Sequence, residues 1–462
     1  MSLDKLFYPE SIVVIGASGK AGSLGRTLTE NVLSGFAGRV YLVNVKGGEL
    51  FGRKVYRSVS ELPETPDIAL IIIPAKYVPS TVEECGKMGV KAVVVLSGGF
   101  REVGPEGALL ERELVEEARK YGVRVVGPNC VGIMNFKIGL DATFTSREHQ
   151  GRPGPGPISL VTQSGAIGSM MLDLSAEMGL GYSKYVSVGN MCDVSLTEIV
   201  EYLAEDPDTG IIAAYIEGVN DGRRLMAAVR RAREKGKVFI AFKTGMTSAG
   251  VRAAASHTGS LAGSYQVFKA AIRQAGGIIA ETLEDFLGYL QVFSKARPPR
   301  GGRVVVLTNA GGMGVTVSDM LEKCGLEVPR LSGKAEEVLR SKLPPYNTIV
   351  NPVDISGDAG ADRYDEVLRI LRGIDGIDII VVVSLLQTPA INGQEFVETI
   401  AKHFRMEREK TIVALVSGAE YSRRWVKKLA FMGVPTYASP AILASSLSAY
   451  VEYHLKQSKA WF

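Results

Sequence analysis

The chain has 462 residues, of which 46% are hydrophobic and 22% charged, and its 53 basic and 49 acidic side chains leave a net charge of +4. These proportions are typical of globular domains and exclude disorder, and the balanced charge argues against nucleic acid or an anionic membrane as a partner. Four scattered cysteines without a CxxC pair, and no apolar run long enough for a signal peptide or a membrane span, predict a cytoplasmic protein with no metal site of its own.

The first third of the chain alternates Val- and Ile-rich runs with amphipathic stretches, which is typical of parallel strands joined by crossover helices. The predicted strands are SIVVIGAS, RVYLVNV, IALIIIPA, KAVVVLSGG and VRVVGPN. Two predicted helices, VPSTVEECGKMG and GALLERELVEEARKYG, each end at a glycine. We therefore predict a doubly wound domain over residues 1–145.

Two segments rich in Gly and Pro, REHQGRPGPGPIS and KARPPRGG, predict further domain boundaries. The strand pattern restarts after each of them, first with ISLVTQSG, GYSKYVSVGN, TGIIAAYIEG and KVFIAFKTG, and then with RVVVLTNAGGMG, DIIVVVSLL and KTIVALVSG. We predict a second α/β domain over residues 150–295 and a third over residues 300–462. The predicted fold is thus three consecutive α/β domains with mainly parallel sheets.

A glycine-rich turn, VVIGASGKAGSLGR, joins the first predicted strand to a helix, where main-chain N–H groups can hold a phosphate. A tight turn that needs glycine for its conformation alone is the alternative. An NAD site would favour an acidic residue after the second strand, whereas this chain has Asn44 and then Lys46. A lysine there suits a ligand with more phosphate groups, such as coenzyme A, and disfavours an NAD-dependent oxidoreductase; a solvated surface lysine is the alternative.

The motif VTQSGAIG repeats this arrangement in the second domain. Ser164 is a good N-cap and Gly165 allows close approach of the backbone, so the predicted helix start can receive a phosphoryl group. An ordinary capped core helix is equally compatible with the motif. Glu217 ends a predicted buried strand, where open α/β sheets place groups that contact ligands, and the Asn and Asp that follow it can cap the next helix instead.

His257 lies in AAASHTGSLAG, among small residues and glycines that suit a loop able to approach an anion. A neutral imidazole can attack phosphorus, and a carboxylate on its other nitrogen, for which Glu217 is the candidate, would fix the tautomer and favour the phosphorylated form. A loop histidine without a function is the alternative. For the other three histidines, His149, His403 and His454, we expect solvated surface positions.

Several motifs together resemble the α subunit of ADP-forming acetyl-CoA synthetases, in the succinyl-CoA synthetase superfamily. They are GASGKAGSLG, VNVKGGEL, IPAKYVP, GPNCVGIMN, VTQSGAIG, YVSVGNMCDV, SHTGSLAG and NPVDISG, and they extend over essentially the whole chain. The resemblance implies a Rossmann-like CoA-binding first domain and flavodoxin-like second and third domains.

The resemblance also implies a reversible reaction that converts acyl-CoA, ADP and phosphate into a carboxylate, CoA and ATP. His257 would carry the phosphoryl group and Glu217 would stabilise it. The implied phosphate-binding residues are Gln163, Ser164, Gly165 and Gly259. The implied positions for CoA, which is a substrate, are Gly16, Ser18, Gly19, Gly22, Ser23, Lys46, Pro74, Ser97, Asn129 and Cys130.

The sequence shows no ATP-grasp nucleotide fold, since NAGGMG lacks the GK[ST] ending of a P-loop and no other segment is left over for one. The resemblance therefore implies a separate ATP-grasp β subunit that binds ADP or ATP with Mg²⁺, in an α2β2 assembly. It implies acetyl-CoA or another short acyl-CoA as substrate, together with phosphate. A CoA-binding or regulatory protein that kept this fold without turnover is the alternative.

Overall fold

The computed structural model describes residues 3–252 and 263–459, which form two compact units. Unit 1 comprises Met1–Ala176 and Gly181–Ile279, and unit 2 comprises Glu177–Leu180 and Ala280–Phe462. The described residues build three sheets, two in unit 1 and one in unit 2, and most strand pairs are parallel, which confirms the predicted α/β class. The boundaries of three separate domains stay a prediction.

The first sheet has seven strands in the order β3-β4-β2-β1-β5-β6-β7, all parallel except β3. Its strands are β1 (Ser11–Ile15), β2 (Arg39–Val43), β3 (Gly48–Leu50), β4 (Arg53–Tyr56), β5 (Ile68–Ile71), β6 (Ala92–Val95) and β7 (Arg124–Val126). The helices of this segment are α1 (Asp4–Phe7), α2 (Leu24–Gly35), α3 (Val78–Met88) and α4 (Pro105–Tyr121).

Local sequence explains where these elements begin and end. The central strands β1, β5 and β6 are buried on both faces, as their unbroken apolar runs require. Helix α4 begins with a proline, which lacks the N–H that a first helical turn leaves unbonded, and it ends before Gly122 in the left-handed conformation (φ +67°). The predicted strands and helices of this segment are confirmed, whereas the short hairpin β3–β4 was not predicted.

The second sheet, also in unit 1, has the order β14-β13-β12-β10-β11-β8-β9. Its strands are β8 (Gly132–Asn135), β9 (Leu140–Thr143), β10 (Gly154–Thr162), β11 (Gly181–Ser187), β12 (Ile211–Ile216), β13 (Val238–Lys243) and β14 (Ile278–Ala280). The accompanying helices are α5 (Gly165–Glu177), α6 (Leu196–Glu205), α7 (Gly222–Glu234) and α8 (Tyr265–Gln274). The order β11-β10-β12-β13-β14 is the flavodoxin-like arrangement 2-1-3-4-5.

Strands β8 and β9 pair antiparallel with this second sheet, although they come directly after the last strand of the first. One hydrophobic core accordingly contains residues from both sheets, such as Val126 and Ile133. The two sheets of unit 1 are therefore packed as one body.

Unit 2 holds the third sheet, with the order β16-β15-β17-β18-β19, again the 2-1-3-4-5 arrangement. Its strands are β15 (Val304–Thr308), β16 (Val353–Asp354), β17 (Ile379–Leu385), β18 (Thr411–Ser417) and β19 (Thr436–Tyr437). Its helices are α9 (Leu283–Lys295), α10 (Gly311–Lys323), α11 (Lys334–Lys342), α12 (Ala361–Arg372), α13 (Gly393–Met406), α14 (Glu420–Phe431) and α15 (Pro440–Lys459).

The prediction of solvated histidines is confirmed for His149 and is wrong for His403 and His454. His403 is 2% exposed, with its Nε2 2.9 Å from Asp365 Oδ1, and burial lowers its pKa against the opposing effect of that carboxylate. His454 is half-buried against the rings of Phe293, Tyr450 and Tyr453, and burial lowers its pKa too. Both lie on helices whose charged residues hid the buried face.

Within the described parts of the chain, no helix combines the length and the apolar character needed to traverse a bilayer.

Candidate functional site

The carboxyl ends of the parallel strands in the first sheet lie along one edge, in the order β2, β1, β5, β6, β7. The predicted CoA positions follow these strands one by one: Lys46 after β2, Gly16 to Ser23 after β1, Pro74 after β5, Ser97 after β6, and Asn129 and Cys130 after β7. Strand β1 lies between β2 and β5, so the edge contains the topological switch point at which doubly wound sheets bind ligands. The structure therefore places the ten residues along one edge.

The turn after β1 has a backbone that only glycine fits at its first position. Gly16 has φ +97°, and a Cβ there would lie 2.3 Å from Ile72 O. Its N–H donates to Val43 O on the neighbouring strand. Ser18 Oγ accepts from Lys20 N, and Ser23 caps helix α2 by accepting from Arg26 N. These bonds fix the turn against β2 and place the capped start of helix α2 at the edge of the sheet, and a helix start is a position where a phosphate can be held.

Hydrogen bonds of the Ser97 side chain and of the main chain join the loops after β5, β6 and β7. Ser97 Oγ donates to Ile73 O at 2.6 Å and accepts from Ile73 N at 3.1 Å, and Asn129 N donates to Ser97 O at 2.9 Å. Asn129 has φ +57°, an uncommon left-handed backbone for a residue other than glycine. Cys130 is buried and burial raises the pKa of its thiol to about 12, so the thiol is protonated at neutral pH.

A loop of the second sheet, residues 188–195, packs on the end of β7. Asn190 N donates to Pro128 O, and Asn190 Nδ2 donates to Glu102 Oε2 at 2.7 Å and to Glu111 Oε2 at 2.8 Å. Burial raises the pKa of the Glu102 carboxyl, but the hydrogen bonds from Asn190 and from three main-chain N–H groups outweigh it and hold that pKa below its ordinary value. Asn190 therefore connects anionic groups of the first sheet to the second sheet.

Helix α5 begins at the carboxyl end of β10, the strand at the switch point of the second sheet. Ser164 Oγ accepts from Ile167 N at 3.4 Å, the N-cap geometry that the motif predicts. A Cβ on Gly165 would lie 2.6 Å from Val131 Cγ2, so glycine permits close packing there. The side chain of Gln163, just before the cap, bonds to the turn at Glu217 and Gly218 on the adjacent strand.

Glu217 directly follows β12 and is half-buried. Helix α7 beyond it is capped by Asp221, whose carboxylate accepts from Arg224 N at 2.9 Å, so Glu217 is not needed as a cap. Lys243, at the end of β13 and 2% exposed, donates from Nζ to Glu217 O at 2.8 Å. Burial lowers the pKa of Lys243, and the Glu217 carboxylate opposes that shift.

One cavity of about 350 Å³ in unit 1 connects these elements. Its lining includes Asn129 and Cys130 from the first sheet, Gln163, Ser164 and Gly165 at the start of α5, and Glu217 after β12. The other predicted CoA positions, from Gly16 to Ser97, are not among its lining residues and lie further along the edge of the first sheet. The predicted thioester end, the phosphate-binding helix start and the carboxylate therefore surround one space.

Sequence reasoning missed three residues of this region. Arg101 and Asn190 line the same cavity, and Lys243 holds the Glu217 turn from below the surface. The motif YVSVGN contains Asn190, and KTG contains Lys243 at a strand end, so both carried a positional signal; Arg101 lies in an irregular loop that carried none. His257 and Gly259 lie outside the described residues.

Among the described residues, no group of three or more His, Cys, Asp or Glu side chains could hold a metal ion. A resident metal site therefore has no fitting set of ligands in the described residues.

Three family models match consecutive parts of the chain. They are described as a CoA binding domain over residues 10–135, a succinyl-CoA ligase like flavodoxin domain over residues 155–293, and a Ligase-CoA domain over residues 304–449. The first match contains the glycine turn and Asn129, and the second contains Ser164, Glu217 and His257.

The chain is similar over its whole length to individual proteins of known name. It is 40% identical to the α subunit of acetate–CoA ligase [ADP-forming] II of Pyrococcus furiosus, over 97% of each chain. It is 38% identical to acetate–CoA ligase [ADP-forming] I of Archaeoglobus fulgidus, over 98% of this chain but 64% of that longer protein. A solved structure of the dinucleotide forming acetyl-coenzyme A synthetase 1 of Ca. Korarchaeum cryptofilum, in complex with phosphate and ADP, superposes with a TM-score of 0.91 at 33% identity, over 100% of this chain and 99% of that one.

Proposed function

Since the chain belongs to the family of α subunits of ADP-forming acetate–CoA ligases, we propose that it performs the acyl-CoA and phosphate chemistry of such an enzyme. The overall reaction converts acyl-CoA, ADP and phosphate reversibly into a carboxylate, CoA and ATP. The observation that carries the proposal is the cavity in which Asn129, Cys130, the start of helix α5 and Glu217 face one space.

CoA would lie along the carboxyl edge of the first sheet. The start of helix α2, which follows the turn from Gly16 to Ser23, would receive its diphosphate, and exposed Lys46 offers a cation to a further phosphate. From there the proposed path of CoA passes Pro74 and Ser97 and ends at Asn129 and Cys130, where its thioester end would reach the cavity. An extended ligand on this path would span the predicted positions in their spatial order.

The chemistry would proceed in three balanced steps. A phosphate oxygen attacks the thioester carbon and the C–S bond breaks, which gives an acyl phosphate and CoA. An imidazole nitrogen of His257 then attacks the phosphorus and the bond to the acyl oxygen breaks, which releases the carboxylate. Finally an oxygen of ADP attacks the phosphohistidine phosphorus, so that ATP forms and the imidazole is regenerated.

The described residues would assist the middle step. The start of helix α5 presents the positive end of its dipole, the Ser164 side chain and the N–H groups from Gly165 onward to the phosphoryl oxygens, with Gly259 as a further proposed contact. The Glu217 carboxylate would accept a bond from the second imidazole nitrogen and stabilise the cationic ring that forms during transfer. The Cys130 thiol, with its raised pKa of about 12, is not a nucleophile at neutral pH and would line the site only.

The nucleotide would be bound by a partner subunit with an ATP-grasp fold, in an α2β2 assembly, and Mg²⁺ would enter with the nucleotide as part of that substrate. Two observations support this division. The Archaeoglobus relative is longer, so that this chain covers 64% of it, and the Pyrococcus relative, matched over 97% of each chain, is named as a subunit α. Acetyl-CoA or another short acyl-CoA is the proposed substrate, and the cytoplasm is the proposed location.

The proposal is tested by the transfer of radiolabelled phosphate to the protein. The chain with its partner subunit is incubated with radiolabelled phosphate and acetyl-CoA, and we expect acid-labile, base-stable label on His257. His257→Asn should remove the label and abolish net turnover, because no other residue substitutes as carrier. Glu217→Gln should slow labelling on the order of a hundredfold. Asp221→Asn is the matched control, since it changes a carboxylate of the same turn that caps α7, and it should label normally.

Label that persists in His257→Asn would show that another residue is the carrier. A wild-type protein that binds CoA but takes no label, even with the partner present, would identify a non-catalytic CoA-binding or regulatory protein instead.

A further inference from the structure

The side-chain amide of Gln163 makes four hydrogen bonds to other parts of the chain. Its Oε1 accepts from Glu217 N and from Gly218 N, the latter at 2.9 Å. Its Nε2 donates to Gly218 O at 2.8 Å and to Met191 Sδ at 3.3 Å. A glutamine amide has two acceptor positions and two donor positions, so this one is fully used.

The partners also fix which way the amide points. Oε1 faces two N–H donors and Nε2 faces a carbonyl oxygen, so the reversed amide would set donors against donors. The main-chain N–H of Gln163 is bonded as well, to Tyr215 O at 3.2 Å. A phosphate could therefore bind this amide only by displacing bonds that hold the turn at Glu217.

Through these bonds, Gln163 connects two elements that line the cavity. It directly precedes Ser164 and Gly165 at the start of helix α5, and its partners form the turn that carries the Glu217 carboxylate. One side chain thus ties the proposed phosphate-receiving helix start to the proposed partner of the imidazole, and both line the same cavity.

We infer that Gln163 is a positioning residue that fixes the Glu217 turn relative to the start of helix α5, and that it does not bind phosphate through its side chain. The inference deepens the proposed function and rests on it, because the distance that it fixes matters for transfer of phosphorus between the helix start and the imidazole. Loss of the amide should lower the rate of transfer and leave the affinity for phosphate little changed.

Gln163→Glu gives a readout that a general structural role would not produce. One carboxyl oxygen can still accept from the two N–H groups, but the other would face Gly218 O, and this contact is favourable only if the carboxyl carries a proton. The contact with Gly218 O favours the protonated form of such a carboxyl, whereas the two N–H donors favour the charged form, and the charged form is the one that repels Gly218 O. We expect the initial rate of phosphohistidine formation, as a ratio to wild type at each pH, to be near one where the carboxyl is protonated and to fall as the pH rises through its pKa.

Gln163→Met removes all four bonds at similar volume. We expect the saturating rate of phosphohistidine formation to fall about tenfold or more, because two buried N–H groups and a carbonyl lose their partner, while the phosphate concentration at half-saturation stays within about twofold. Hydrogen exchange at Glu217 and Gly218 should accelerate. Gln150→Met is the matched control, since Gln150 is a buried glutamine that bonds to helix α5 at Ser169 O but does not line the cavity; its rates and the exchange of the 217–218 segment should match wild type.

Two results would overturn the inference. One is a large rise in the half-saturating phosphate concentration at an unchanged saturating rate, which would identify Gln163 as a phosphate ligand. The other is unchanged exchange at Glu217 and Gly218 in Gln163→Met. Hydrogen exchange needs no turnover, so it tests the positioning even in a protein that forms no phosphohistidine, and failure of the proposed function is thereby separable from failure of this inference.

Discussion

Strand β13 lies between two buried lysines that belong to opposite ends of the second sheet. Lys237, just before the strand, donates from Nζ to Leu203 O at 2.8 Å and also bonds to Asp206 O. Lys243, the last residue of the strand, donates from Nζ to Glu217 O at 2.8 Å. Burial lowers the pKa of both ammonium groups. The same local arrangement thus occurs twice, at ends of the sheet with different surroundings.

The amino end surrounds its lysines with a closed network. Lys184, fully buried, pairs with Asp206 at 2.7 Å and lies over the ring of Tyr8, whose hydroxyl bonds to Asp208 at 2.6 Å. At the carboxyl end the turn held by Lys243 carries a carboxylate that lines a cavity. Buried cations thus belong to a closed ion-pair network at one end of this sheet and hold a turn that lines a cavity at the other.

The largest effect should come from breaking the network at the amino end. Asp206→Ala removes the carboxylate that pairs with the buried Lys184 ammonium. Removal of one partner of a buried ion pair costs about 3–5 kcal/mol of stability. We expect that loss in the free energy of unfolding of unit 1, measured by urea denaturation, with little change in turnover per folded molecule.

The neighbouring Glu205→Ala is the control. Glu205 pairs with Arg231 and Lys235 at the surface, and exposed ion pairs contribute little to stability. Equal destabilisation by the two substitutions would contradict the role given to the amino-end network.

At the carboxyl end we expect an intermediate effect, on the rate of the reaction rather than on stability. Lys243→Met removes the cation that holds Glu217 O, so the turn should lose its fixed position and the rate of phosphohistidine formation should fall about tenfold. The free energy of unfolding should change far less than in Asp206→Ala, because a costly buried charge is removed together with its hydrogen bonds.

Lys237→Met matches this substitution at the position just before the same strand. It should leave the rate of phosphohistidine formation unchanged, since Lys237 bonds to carbonyls at the end of helix α6 and does not touch the turn at Glu217. A similar rate loss in both variants would mean that β13 as a whole, and not the Glu217 turn, is what the lysines support.

Much of the fold could be predicted because buried parallel strands are encoded locally. Unbroken runs such as the one that forms β1 have apolar residues on both faces, and the helices between them carry their own caps and glycine ends. The antiparallel strands β8 and β9 were not predicted, because β8 pairs with β11 far along the chain and strands of four residues are too short to show a distinctive period.

The candidate site divides in the same way. Ser164 and Glu217 stand at strand ends next to glycine motifs, so their positions in the sequence could name them, whereas Asn129 was named by the resemblance to the ligase family. The role of Gln163 depends on which groups its amide meets on a strand more than fifty positions away, and the contribution of Lys243 depends on its burial beside that turn. Neither is visible without the register that β10, β12 and β13 adopt.

The smallest effect concerns Lys295, a half-buried lysine whose Nζ donates to carbonyl oxygens and whose pKa is lowered by burial without an opposing carboxylate. In unit 2, Lys295 Nζ donates to Met178 O at 2.9 Å and to Ala430 O at 3.1 Å, and burial lowers its pKa to about 8. The ordinary value is 10.5, so between these two pH values the unfolded chain binds more protons than the folded one. By linkage, stability then rises with pH through that window and is lowest where the ammonium is charged in both states.

We expect this lysine to add about 1 kcal/mol per pH unit at most to the free energy of unfolding as the pH rises above about 8. Other groups titrate over the same range, so the quantity to measure is the difference between wild type and Lys295→Met at each pH, by urea denaturation. A difference that is flat with pH would mean that the ammonium is as well solvated in the folded chain as in the unfolded one. A difference that falls with pH would mean that an anion offsets its charge, as Asp206 does for Lys184, and the distinction between carbonyl-bound and carboxylate-bound lysines would then not hold for Lys295.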